Sequence, residues 1–232
     1  MAKAVTAEKA DPTASRAAAR TAEIPRPELP ANTLPVTEKS LGGCKILTMT
    51  DLDEYWSTYY LSGKDFHILS DESLNQIVNF VQKPYSMALD IGCGTGDICR
   101  RLAEVGFDPT GVDSSSEAIR IAKSKAGSKE KYVLADIEDE NFNLSEKYDL
   151  VICKLVYAFI KNKPGFLEKV AKWMHTKSVF VIIVPLTTDV DSSKLRISVD
   201  EEQTQKELKE QFVVDSYRDE GQSVFICKLK GQ

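Results

Sequence analysis

Ala88-Leu89-Asp90-Ile91-Gly92-Cys93-Gly94-Thr95-Gly96 is the stretch that decides the fold of this chain. A short apolar run, Met87 to Leu89, meets Asp90 and then glycines at three alternate positions. Glycine is wanted where φ is positive or where no Cβ can stand between backbone and ligand. The helix signal that follows, Asp97 to Val105, carries apolar residues at Ile98, Leu102 and Val105 and stops at Gly106. Strand, glycine bend and helix together describe a surface for a ligand to lie against. A dinucleotide fingerprint requires G-x-G-x-x-G. Here the sixth position from Gly92 is Asp97, and the third glycine comes one residue early. Asp90 and Asp97 beside the bend disfavour a diphosphate and suit a ligand carrying an ammonium or sulfonium charge.

Working outward, a second strand signal, Pro109 to Val112, ends in Asp113, 23 residues past Asp90 (113 − 90). An acid at that position is placed to accept hydrogen bonds from ribose hydroxyls. Ser114 and Glu117 read as an S-x-x-E capping box for a helix over Glu117 to Lys125, with Ala118, Ile119 and Ala122 on one face. A third strand, Tyr132 to Ala135, ends at Asp136-Ile137, and a fourth, Tyr148 to Cys153, leads into Lys154-Leu155-Val156-Tyr157. Phe166 to Met174 has helical periodicity. Val179 to Val184 is a continuous apolar run before Pro185, as expected of a strand buried on both faces. Glu201 to Phe212 is a charged helix, and Phe212 to Tyr217 with Ser223 to Leu229 predict a closing hairpin around Asp219–Gln222. This alternation argues for a parallel α/β sheet.

The pattern Asp90-x-Gly92-x-Gly94-x-Gly96 resembles motif I of class I S-adenosylmethionine-dependent methyltransferases. Asp113 with its following helix resembles that family's second-strand acid. The resemblance implies a Rossmann-like, seven-stranded, mostly parallel sheet whose last strand is antiparallel, with helices on both faces in a three-layer sandwich. It implies S-adenosyl-L-methionine as cofactor and S-adenosyl-L-homocysteine as product. By the same resemblance Asp90, Gly92, Cys93, Gly94, Gly96, Asp113 and Ser114 line the cofactor site. Asp136 meets the adenine amino group, Ile137 packs on the ring, and Lys154 at the end of strand four faces the methionine part and the acceptor. Cys93 reads as a small side chain that fits the bend rather than as a nucleophile.

Residues 55–63 contain W-x-x-x-Y-x-x-G from Trp56 through Tyr60 to Gly63. This resembles the entry segment of small-molecule methyltransferases of the thiopurine and tellurite types, in which an aromatic helix folds over the cofactor. A π face attracts a sulfonium cation. Trp56 and Tyr60 are four apart and share a helix face, which serves equally to dock that helix on the sheet. Methyl transfer from a sulfonium is an in-line displacement that positioning alone can accelerate greatly. A base is needed only where the acceptor must first lose a proton, and the candidates are His67, Lys154 and Tyr157. Arg196, between Leu186 and Asp200, is a candidate anion contact.

Composition sets the remaining bounds. The first 48 residues hold five of the nine prolines and ten alanines, with no Trp, Tyr or Phe, and read as a disordered or linker-like tail. Residues 49–232 then form one domain, with cap helices over 49–86 and the Rossmann-like core over 87–232. With seven basic residues against five acids in the tail, the rest carries about −7 of the net −5 (−5 − 2). The basic residues from Lys161 to Lys177 read as a solvated helix face rather than as a phosphate-binding patch. No N/D-P-P-Y follows strand four, so a nucleic-acid substrate is disfavoured. No run reaches the length of a membrane span, no signal-peptide core is present, and a cytoplasmic location is expected. Five cysteines without C-x-x-C and two histidines predict reduced thiols and no metal site. The expected activity is methyl transfer to a small-molecule nitrogen, oxygen or sulfur acceptor. The alternatives are a non-catalytic cofactor-binding subunit that activates a partner, or a tRNA or protein methyltransferase.

Overall fold

The computed structural model describes residues 49–63, 69–81 and 86–231. The tail over 1–48 and His67 lie outside the described residues. Seven strands form one sheet: β1 (Met87–Ile91), β2 (Asp108–Asp113), β3 (Lys131–Leu134), β4 (Tyr148–Lys154), β5 (Met174–Val184), β6 (Phe212–Asp219) and β7 (Gln222–Leu229). Their spatial order is β3-β2-β1-β4-β5-β7-β6. Neighbours from β3 to β5 pair in parallel, whereas β7 pairs antiparallel with both β5 and β6. The expected mostly parallel sheet with an antiparallel last strand is thus the one observed.

Side-chain alternation sorts the core into two layers. Leu150, Ile152, Val179, Val181 and Ile183 point to one face, where α2 (Asp71–Val78) contributes Leu74 and Ile77 and α3 (Asp97–Glu104) contributes Ile98 and Leu102. Val151, Cys153, Phe180 and Ile182 point to the other. There α5 (Lys163–Lys172) brings Phe166, Leu167 and Val170, and α6 (Glu201–Leu208) brings Leu208. Both central strands are buried on both sides, which is why their sequences are continuously apolar. A smaller cluster joins Cys93, Cys99 and Tyr132 to Ile119 and Ala122 of α4 (Ser116–Ser124). Cys93, Cys99, Cys153 and Cys227 are buried free thiols.

Two boundaries move from their sequence expectations for identifiable reasons. Helix α5 begins at Lys163, not Phe166, because Asn162 Oδ1 caps it by accepting from the Gly165 N–H at 3.1 Å and Pro164 suits the first turn. The capping box at Ser114 does not form. The α4 cap is Ser115, whose Oγ accepts from the Ala118 N–H at 3.1 Å. Glu117 turns away to pair with Arg120, at 2.8 and 2.6 Å. Helix α1 (Met49–Leu61) lies against this helix start through Ser57, whose Oγ is 3.0 Å from Ser115 Oγ and accepts from the Glu117 N–H at 3.3 Å. Among the described residues no helix is long and apolar enough to cross a membrane.

Candidate functional site

The carboxyl ends of β1, β2, β3 and β4 surround a cavity of about 260 Å³. Its floor is the glycine bend. The Gly92 and Cys93 N–H groups donate to Val112 O at 2.8 and 3.1 Å, tying the bend to the neighbouring strand. Gly92, Gly94 and Gly96 have φ of 70°, 52° and 80°, a region that L side chains avoid. Space forbids side chains as well. A Cβ on Gly94 would stand 2.8 Å from the Tyr60 hydroxyl, and one on Gly96 would stand 2.4 Å from that of Tyr132. Cys93 packs its Sγ where a Cβ on Gly111 would come within 2.7 Å, which accounts for glycine in the middle of β2.

Two carboxylates frame the floor. Asp113 Oδ2 accepts from the Gly94 N–H and Oδ1 from the Ser115 N–H, each at 2.8 Å. It therefore fastens the bend to the start of α4 while still lining the cavity. Asp90 is 1% exposed. Its Oδ2 accepts from the Cys99 thiol at 3.6 Å, while its buried Oδ1 lacks a hydrogen-bond partner. Burial pushes the Asp90 carboxyl up to about 7, against the opposing pull of the Lys154 ammonium. A buried acceptor without a donor costs on the order of 1–3 kcal/mol, and Asp90 as a whole lines the cavity.

The remaining wall comes from three loops and α1. Ser114, Asp136, Ile137 and Lys154, all expected from sequence, line it together with Trp56 and Tyr60. Tyr60 is 8% exposed. The Trp56 ring meets Phe159 edge-on, with centroids 5.8 Å apart. Leu155 sits at φ 59° at the end of β4, a backbone conformation that costs a leucine of order 1 kcal/mol and concentrates at functional sites. From there the chain enters a 3-10 turn over Tyr157–Phe159. Val156, Phe159, Ile160, Lys161 and Glu138 also reach the wall. Nothing in their spacing marked them: the turn and its flanks bring in Val156, Phe159, Ile160 and Lys161, and the loop after β3 brings in Glu138.

Two candidates from the sequence, Tyr157 and Arg196, lie off the cavity wall. Tyr157 is fully buried, with its hydroxyl 3.0 Å from Glu207 Oε2 on α6, and burial together with that carboxylate pushes the pKa of its phenol well above the ordinary value. Tyr157 belongs to the same core layer as Val151 and Cys153 of β4. Arg196 lies in a 3-10 turn over Ser192–Ile197 and is likewise outside the cavity wall.

Strand order, glycine bend and acids at successive strand ends define a Rossmann-like α/β domain with a cavity at its switch point. A family model described as a methyltransferase domain matches residues 83–222. The ubiquinone biosynthesis O-methyltransferase of Photobacterium profundum is 27% identical over 132 residues, 55% of this chain and 56% of that protein. Magnesium protoporphyrin IX methyltransferase from Synechocystis PCC 6803, solved with bound S-adenosylmethionine, superposes with a TM-score of 0.62 at 16% identity, over 82% of this chain and 100% of that one. A TehB-like S-adenosylmethionine-dependent methyltransferase from Corynebacterium glutamicum does so at 0.57 and 16% identity, over 78% and 98%. The chain spans about half the length of the curated relative. With more than half of its residues matched by the family model, the chain belongs to the methyltransferase domain family, of the class I S-adenosylmethionine-dependent fold.

Proposed function

We propose that the chain transfers the methyl group of S-adenosylmethionine to a small-molecule nitrogen, oxygen or sulfur acceptor. The observation that supports this reading is an acid-lined cavity over a bend that leaves no room for side chains. The cofactor fits the residues present. Asp90, Asp97, Asp113, Asp136 and Glu138 line the cavity against two basic residues, Lys154 and Lys161, and that balance favours a cation. When bound, the cofactor supplies an electrophilic methyl group on a sulfonium and departs as a neutral thioether.

The chain's own residues bind and orient. Asp90 takes the ammonium of the methionine part, and the glycine bend lets that part approach the backbone. Asp113 keeps lone pairs for the ribose hydroxyls, and Asp136 with Ile137 takes the base. Trp56, Tyr60 and Phe159 cover the site, exclude water and offer π faces to the sulfonium. Holding the acceptor in line behind the methyl group is the main catalytic contribution. Of the three proton acceptors considered from sequence, Lys154 is the one that lines the cavity among the described residues.

Calorimetry with S-adenosylmethionine and S-adenosylhomocysteine tests the premise, with Gly94→Arg as the control that abolishes binding. Transfer of a tritiated methyl group into size-fractionated lysate then sorts the acceptor. Label in the small-molecule fraction is expected. Label in RNA or protein overturns the acceptor class, and cofactor binding without any label assigns a non-catalytic subunit instead.

A further inference from the structure

Helix α5 grips the outer loop of the cavity at two points. After β3 the chain passes Asp136, Ile137 and Glu138, all on the cavity wall. Glu138 Oε1 accepts from the backbone N–H groups of Lys161 and Asn162 at 2.9 and 2.8 Å. Asn162 is the N-cap of α5, so this carboxylate stands at the positive end of the helix, where negative charge is favoured. From the last turn of the same helix, Lys169 Nζ donates to the carbonyls of Ile137 at 3.2 Å and Asp139 at 2.5 Å. Asp136 Oδ1 accepts from the Glu138 N–H at 2.9 Å, which fixes the Asp136 carboxylate in turn. Glu138 therefore bridges two walls of one cavity, the loop after β3 and the segment Phe159–Lys161 after β4.

We propose that Glu138 is a positioning residue for the nucleoside end of the cofactor: it holds the 159–161 wall against Asp136 and Ile137 and so sets the width of the slot that the base enters. This rests on the reading that the cavity takes S-adenosylmethionine with its base beside Ile137. The bridge needs a carboxylate because one oxygen serves two N–H donors at a helix start. Hydrogen bonds to an ionised acceptor are roughly twice as strong as neutral ones. Glutamine keeps an acceptor oxygen and loses the charge, whereas alanine loses both. Lys169 steadies the same loop from its opposite side through main-chain oxygens.

Calorimetry with S-adenosylmethionine and with adenosine, joined to amide hydrogen exchange on the ligand-free full chain, tests this. Glu138→Ala is expected to weaken both ligands by about tenfold and Glu138→Gln by about threefold. Exchange at the Lys161 and Asn162 amides should rise in the alanine variant and rise less in the glutamine variant. A residue serving only global stability would lower the thermal midpoint and raise exchange throughout the core, not at Lys161 and Asn162 alone. Equal affinities for Glu138→Ala and the parent chain overturn the proposal, as does unchanged exchange at the two amides. Absence of heat from the parent chain with either ligand overturns the underlying cofactor reading, and exchange at Lys161 and Asn162 then judges the bridge separately.

Discussion

The floor of the cavity is held by main-chain groups, whereas its cover is held by side chains from one helix. In the floor, Gly92, Cys93 and Gly94 donate to Val112 O or Asp113 Oδ2, and Gly96 N donates to Cys93 O at 2.9 Å. The cover rests on the Ser57 contacts with the start of α4 and on ring contacts of Trp56 with Tyr60 and Phe159. Backbone geometry at positive φ admits few substitutions, while an edge-on ring pair contributes about 0.5–1.5 kcal/mol. Changes in the floor should therefore act nearly all-or-none, and changes in the cover should be graded.

The sharpest way to break this contrast is Gly94→Arg, which places a side chain at φ 52° within 2.8 Å of the Tyr60 hydroxyl. Loss of cofactor heat by at least about a hundredfold is expected; a mild loss would mean that the floor yields. Next comes Asp90→Asn, which keeps the shape and removes the charge, with affinity for S-adenosylmethionine falling about tenfold by calorimetry. Because the Asp90 carboxyl sits at about 7, cofactor affinity of the parent chain should tighten as pH rises through 7, and the asparagine variant should lack that rise. Stability runs the other way. The folded chain holds the Asp90 proton more tightly than the unfolded chain, whose ordinary value is 3.8. That contribution, of order 4 kcal/mol, is complete below about pH 4 and is lost as pH climbs through about 7. Thermal unfolding between pH 4 and 8 would show it, and Asp90→Asn would flatten it. In the cover, Trp56→Ala should weaken the cofactor only about fivefold. Smallest of all, Ser57→Ala should cost about twofold in affinity and a degree or two in thermal midpoint, because it removes one partly buried hydroxyl.

The same contrast explains what could be read from sequence. The floor was legible because its physics is local: a strand, alternate glycines and an acid at a fixed distance leave few other structures. That Asp113 would spend both oxygens on backbone N–H groups was not legible, since the Gly94 and Ser115 donors depend on how β1 and α4 approach β2. Tyr157 follows the end of β4 closely enough in sequence to be a candidate for the site, yet it shares the core face of Val151 and Cys153, and only the packing of α6 over that face shows it. Phe159 enters the site through the turn after β4 and Glu138 through the loop after β3, and neither residue carries a local signature. Trp56 and Tyr60 were legible as sharing a face, and the structure brings that face to the cavity.

Strand β7 is made after every other strand, yet it lies between β5 and β6. Until Gln222–Leu229 has left the ribosome, the Phe180–Val184 edge of β5 has no neighbour on that side, and the pocket later filled by Phe225 and Cys227 stands open. A bare, apolar strand edge is a template for pairing with other chains. A chain truncated before residue 222 would keep the sequence of the glycine bend but leave the Phe180–Val184 edge of β5 without its antiparallel neighbour.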